Sequence, residues 1–329
     1  MLSNWLSPIS ATQCNNYFDD KFSCQGNFPN LKDAKIVVFS REHKFSEAVR
    51  ISFEKFYNHF DAKIVDIGNL NSLNATSNYQ VISELQDGYI LPVLIGVDVD
   101  SFKEFCQAML LEGKLNNCAF ITNTVSLPSE SFNIANIGFQ RHCIPKFRFH
   151  EVMESNTPGL SLGSLRSSQN ILEPILRESN YVHFDLASLR KSDCPAFEKS
   201  LPTGLYAEEA CQIMRYAGEG LRLKLVTIDT DGLDDTSFSE ASLVAELIWY
   251  LHEGVDKLAK DHPSYSKDFK EYIIELNEID HSLIFAQSMK SGKWWLKTDN
   301  DSNTYISCAY EEYQQTIENE IPERLLKLI

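Results

Sequence analysis

The side chains best able to do chemistry stand just beyond short apolar runs. Asp185 lies at the end of YVHFDL (181–186), and Asp229 follows KLVTI (224–228), opening the acidic segment DTDGLDD (229–235) with Asp231, Asp234 and Asp235. Asp98 and Asp100 follow ILPVLI (90–95), and CAFIT (118–122) runs into the hydroxyl-rich stretch Thr122-Asn123-Thr124-Val125-Ser126. Carboxylates so placed could ligate a metal or hold a cationic ligand, although a run of acids is also what a solvated turn looks like. His183, inside an apolar run, reads as a satisfied structural histidine. Cys194 in SDCP and Cys211 in EEACQ are candidate thiols, but no histidine stands beside them in a nucleophile pattern.

The elements that must position these groups can be read from periodicity. Runs at 35–39, 63–67, 90–95, 118–122, 133–138, 181–186, 224–228 and 282–286 are short, apolar and mostly non-alternating, as strands buried on both faces are. Helical spacing recurs at 46–57, 101–112, 206–218 and 238–260, where Leu243, Val244, Leu247, Ile248, Leu251, Val255 and Leu258 form one stripe. Ser237 and Glu240 have the spacing of a capping box at its start. Strands alternating with helices predict a mainly parallel sheet covered on both sides, with ligands beyond the carboxyl ends of its strands. Residues 1–33 read as a loop-rich lead-in and 34–260 as one α/β domain. Residues 261–329 read as a C-terminal extension packed on it, carrying one strand and acidic turns.

Charge narrows the function classes. Against 46 Asp and Glu stand 30 Lys and Arg, a net charge of −16. That balance argues against nucleic-acid binding and against a polybasic membrane anchor. The first residues lack a basic, then apolar, leader pattern, and no run approaches a membrane-spanning length. The eight cysteines are scattered, as reduced thiols are. A soluble, cytoplasmic protein is expected. The segment 141–150 alternates basic with apolar residues and reads as an edge strand or charge-guarded loop, with contact to an anion or partner protein as the sharper reading. Trp294-Trp295 reads as docking of the C-terminal segment on its own core or, alternatively, as part of an interface.

Five segments, in order and spacing, resemble the ureohydrolase superfamily of arginases, agmatinases and formimidoylglutamases. IVDIGNL (64–70) is similar to the family's DLGD strand end, and LPVLIGVDVDS (91–101) to P-x-x-x-GGDHS. FDLASL (184–189) is similar to FDIDALDP, PTGLYAEEACQIMRYAG (202–218) to P-x-GGL-x-x-E, and DTDGLDD to E-x-N-P-x-x-D. The run from FDLASLRKSDCP to GKWWLK looks most like the formimidoylglutamase branch. The resemblance implies a three-layer α/β/α sandwich with a mainly parallel eight-stranded sheet.

It also implies two Mn²⁺ ions held by one His, a D-A-H-x-D run and a D-x-D pair. Carried over, those ligand positions fall on Val99, on Thr122, Thr124 and Ser126, and on Asp185 and Ala187. Of these only Asp185 is a metal-ligating residue. Paired divalent cations need several carboxylates to balance them and imidazoles to complete the shell. No metal or other cofactor is therefore expected. Asp98 falls on the GGDHS aspartate and is expected to support its loop. Asp229 falls on the family's substrate-contacting Glu, so Asp229, Asp231 and Asp235 are the candidate substrate-binding residues. The leading expectation is a non-catalytic binding or assembly module, homo-oligomeric by resemblance and open to a protein partner. The alternative is a divergent hydrolase of linear amidine C–N bonds in formiminoglutamate, arginine or agmatine, and manganese belongs only to that reading.

Overall fold

The computed structural model describes residues 2–9, 17–24, 26–41, 44–71, 75–109, 116–128, 132–155, 159–275, 282–298 and 303–326. Its strands are β1 Leu6–Ser7, β2 Asp20–Lys21, β3 Ala34–Ser40, β4 Lys63–Leu70, β5 Leu91–Ile95, β6 Asn116–Ile121, β7 Phe132–Phe139, β8 Gly159–Ser161, β9 Tyr181–Asp185, β10 Leu225–Asp229, β11 Phe269–Glu275, β12 Ser282–Ser288, β13 Trp294–Lys297 and β14 Tyr305–Cys308. Its helices are α1 Lys44–Ser52, α2 Ala75–Asp87, α3 Val99–Met109, α4 Lys146–Glu154, α5 Leu162–Ser167, α6 Leu172–Arg177, α7 Ala207–Gly218, α8 Phe238–Asp256, α9 Tyr310–Ile317 and α10 Glu323–Leu326.

Eight strands run parallel in the order β4-β3-β5-β10-β9-β6-β7-β8. Antiparallel β1 and parallel β2 pair along the outer edge of β4. Alternate residues of one strand enter opposite cores: Ile36 and Val38 pack with α1, α7 and α8, while Val37 and Phe39 pack with α2 and α3. That alternation makes the sheet the middle of three layers and accounts for strands that are apolar on both faces. Gly68 holds φ +85° where β1 crosses β4, and a Cβ there would lie 2.1 Å from the Ser7 carbonyl oxygen. Among the described residues no helix is long and apolar enough to cross a membrane.

Seven expected strands fall in this sheet; the run at 282–286 does not. It belongs to β12 of a second, antiparallel sheet ordered β11-β12-β13-β14, where a single strand was expected. The eighth parallel strand is instead β8, three residues of GLS with no β-branched side chain to announce it. The segment 141–150 is neither edge strand nor loop: a 3-10 turn over Arg141–Cys143 leads through Pro145 into α4. The last three residues of the helix expected at 101–112 lie outside the described residues.

The Ser237–Glu240 capping box does not form. Ser237 makes no side-chain cap, and Glu240 is buried, accepting from the Ala196 N–H at 2.6 Å. Trp294 and Trp295 are buried, 6% and 1% exposed. Arg177 of α6 stacks 4.2 Å over Trp295 and donates to the Trp294 carbonyl at 2.9 Å, fastening the second sheet to the first layer of helices.

Candidate functional site at the carboxyl ends of the sheet

Three neighbouring strands end together. Register pairs Asp229 of β10 with Asp185 of β9, and Ile121 of β6 with Phe184, so Thr122 emerges beside Asp185. Asp185 Oδ1 accepts the Ala187 N–H at 2.8 Å and Oδ2 accepts the Thr122 hydroxyl at 2.9 Å. Thr124 lies 3.4 Å from Thr122, hydroxyl to hydroxyl. Asp229 is buried, and its Oδ1 accepts the Asp231 N–H at 2.9 Å.

Burial is the main force on both carboxyls. It pushes Asp185 up against the opposing pull of the Ala187 and Thr122 hydrogen bonds and of Lys199. It pushes Asp229 up to about 6, with Asp185 adding to the rise and Asp231's N–H and Lys199 opposing it. Lys199 is the participant that sequence reading missed. Its Nζ donates to Asp231 at 3.2 Å. Partial burial works against its charge, but Asp229, Asp231 and Asp185 outweigh that and hold the ammonium above the ordinary lysine range. No periodicity marks position 199; only folding of the loop after β9 brings it to the strand ends.

The other expected positions serve the fold. Asp98 caps α3, accepting the N–H groups of Asp100 and Ser101 at 3.0 and 2.9 Å and the Ser101 hydroxyl at 2.7 Å. Burial raises its carboxyl, yet those hydrogen bonds together hold it below the usual range. Val99, the first residue of α3, is half-buried and packs against the core. Ser126 exchanges backbone hydrogen bonds with the buried Asn136 side chain, and Ala187 is buried. Asp234 holds the turn through Thr236, and Asp235, like Asp231, is exposed.

His183 is fully buried, bonded to Thr227 at 2.9 Å and stacked on Phe102, and burial pulls its imidazole down to about 3. Burial pushes the Cys194 and Cys211 thiols up to about 12, the reverse of an activated nucleophile.

Two manganese ions do not fit these donors. The carried-over positions offer one carboxylate and three hydroxyls, and the ammonium of Lys199, 3.2 Å from Asp231, already acts on that carboxylate. Among the described residues no three His, Cys, Asp or Glu side chains gather in a way that could hold a metal ion.

The strand order and layers define an arginase-like fold. No family model matches the chain, and no curated protein matches it. Solved structures do. Formiminoglutamase of Trypanosoma cruzi with Mn²⁺ is similar over 70% of this chain and 96% of its own, with TM-score 0.61 at 15% identity. Formimidoylglutamase of Bacillus subtilis is similar over 70% of this chain and 90% of its own, with TM-score 0.58 at 13% identity. Agmatine ureohydrolase of Thermoplasma volcanium is similar over 68% of this chain and 91% of its own, with TM-score 0.54 at 13% identity. Likeness at this level of identity establishes the shared fold.

Proposed function

We propose that the chain uses the ureohydrolase fold as a metal-independent binding or assembly module. The observation that supports this reading is the charge balance at the strand ends, where Lys199 opposes Asp185, Asp229 and Asp231. The Lys199 ammonium offsets only part of this acidic charge, and threonine and serine hydroxyls cannot supply the negative charge and donor strength that a pair of divalent cations needs. The module is a cytoplasmic homo-oligomer without cofactor, open to a protein partner through the segment 141–150 and not to nucleic acid.

The test is turnover. Purified protein supplemented with Mn²⁺ is expected to leave N-formimino-L-glutamate, arginine and agmatine intact. Manganese-dependent release of formamide or urea contradicts the reading.

A second reading has one specific observation behind it. Asp229, raised to about 6, could accept a proton from water near neutral pH and serve as general base in amidine hydrolysis. Metal-independent turnover abolished by Asp229→Asn supports that reading over the first.

A further inference from the structure

On the far side of α8 from the sheet, an open pocket of about 310 Å³ is formed where the chain following α1 crosses that helix. Its walls include Phe56, Tyr57, His59, Trp249 and Tyr250, and the half-buried Glu246 and exposed Lys55 also line it. Glu246, Trp249 and Tyr250 are spaced i, i+3, i+4 on α8, which puts carboxylate and rings on one face.

Trp249 is held in place before any ligand arrives. Trp249 Nε1 donates to the Tyr57 carbonyl at 3.0 Å. The edge of Phe60 meets Trp249 at 4.9 Å, and Tyr250 meets it at 5.1 Å with the planes 73° apart. Glu246 makes no hydrogen bond or ion pair among the described residues. Burial raises its carboxyl and Glu208 adds to the rise, so it is a half-buried acid lacking a cation.

Aromatic faces carry negative quadrupole potential and attract weakly hydrated cations, quaternary ammonium above all. A carboxylate among them adds charge, while an exposed lysine at the rim can receive an anionic tail. Packing of the helix against its neighbour explains the rings but not the acid beside them, which is unpaired among the described residues. We propose that this pocket binds a small methylated-ammonium zwitterion, its trimethylammonium head against Trp249, Tyr57 and Glu246 and its acidic tail toward Lys55. The site is remote from the strand ends and independent of what they do.

The experiment is titration of the full chain with glycine betaine, followed by ligand-observed NMR, against tert-butylacetate, its uncharged-head isostere. Expected is saturable betaine binding, at least about tenfold weaker for tert-butylacetate. Trp249→Ala should weaken betaine binding by about tenfold and Glu246→Gln by a few-fold. Because Trp249→Ala removes a packed ring, Trp249→Phe and Glu246→Gln are read beside it, each with its thermal midpoint compared with the parent. Absence of betaine binding, equal binding of the isostere, or full affinity in folded Glu246→Gln and Trp249→Phe would each overturn the proposal.

Discussion

Asp185 and Asp229 are register partners at the ends of adjacent parallel strands, and the ammonium of Lys199 acts on both. Neighbouring strands lie about 4.8 Å apart. Two ionised carboxylates at roughly 5 Å and an effective dielectric near 20 repel by about 3 kcal/mol. One neutral hydrogen bond, worth about 1 kcal/mol, cannot offset that. The pair must bind a cation or keep a proton, and the structure does some of each: Lys199 lies close, and Asp229 holds its proton up to about pH 6.

A stability signature in pH follows. Asp229, at about 6 when folded, stands above the value of about 4 expected of an unfolded aspartate. Its protonated form is favoured in the fold, so its contribution is fully present below about pH 4 and is lost as pH rises through about 6. Asp229→Asn should remove that fall, leaving the variant roughly 2 kcal/mol more stable than the parent near neutral pH and little different near pH 4. Urea midpoints at both pH values decide; the same parent-to-variant difference at each would count against it.

Lys199→Met should shift the proton balance without unfolding the chain. The lysine side chain is 53% exposed, so the stability cost should stay under about 1 kcal/mol. Carboxyl titration by NMR should show the Asp229 midpoint moving upward. An unchanged midpoint would mean that the ammonium is not a partner of this pair.

Arg50 and Asp66 form a buried fork under the same sheet. Nε donates to Oδ2 at 2.7 Å and Nη2 to Oδ1 at 3.2 Å, while Nη1 reaches Asn69 at 2.9 Å. Arg50→Met would strand a buried carboxylate, at a cost of about 3–5 kcal/mol by chemical denaturation. A loss below about 1 kcal/mol would show the pair to be dispensable.

Helices α7 and α8 cross at Gly218 and Gly254. A Cβ on Gly254 would lie 2.1 Å from the Arg215 carbonyl oxygen, with backbone that cannot swing aside. Gly254→Ala should destabilise by about 1–3 kcal/mol, read as a lowered urea midpoint. A midpoint equal to the parent's would mean that the crossing is looser than its contacts imply.

The strands of the central sheet were legible because burial on both faces removes regular polar alternation: β5 is wholly apolar, and β3, β4, β9 and β10 each carry a short apolar run. Three-residue β8 carries no such signal. β11 mixes half-buried and exposed positions along FKEYIIE, and its charged Lys270, Glu271 and Glu275 break the continuous apolar run that marks the buried strands. Glu240 illustrates a local rule overridden by tertiary contact: its spacing suits a cap, but the Ala196 N–H, 44 residues away, captures it. At the site, Asp185, Asp229 and Thr122 could be found because strand ends can be found. Lys199 could not, since its position depends on the path of a loop without periodicity.

The most direct test of metal independence is manganese content by elemental analysis after dialysis of the purified protein against Mn²⁺, with thermal midpoints taken with and without chelator. Expected is manganese far below one equivalent per chain and a midpoint that chelator does not move. Two bound equivalents, with a midpoint that falls when they are stripped, would contradict it.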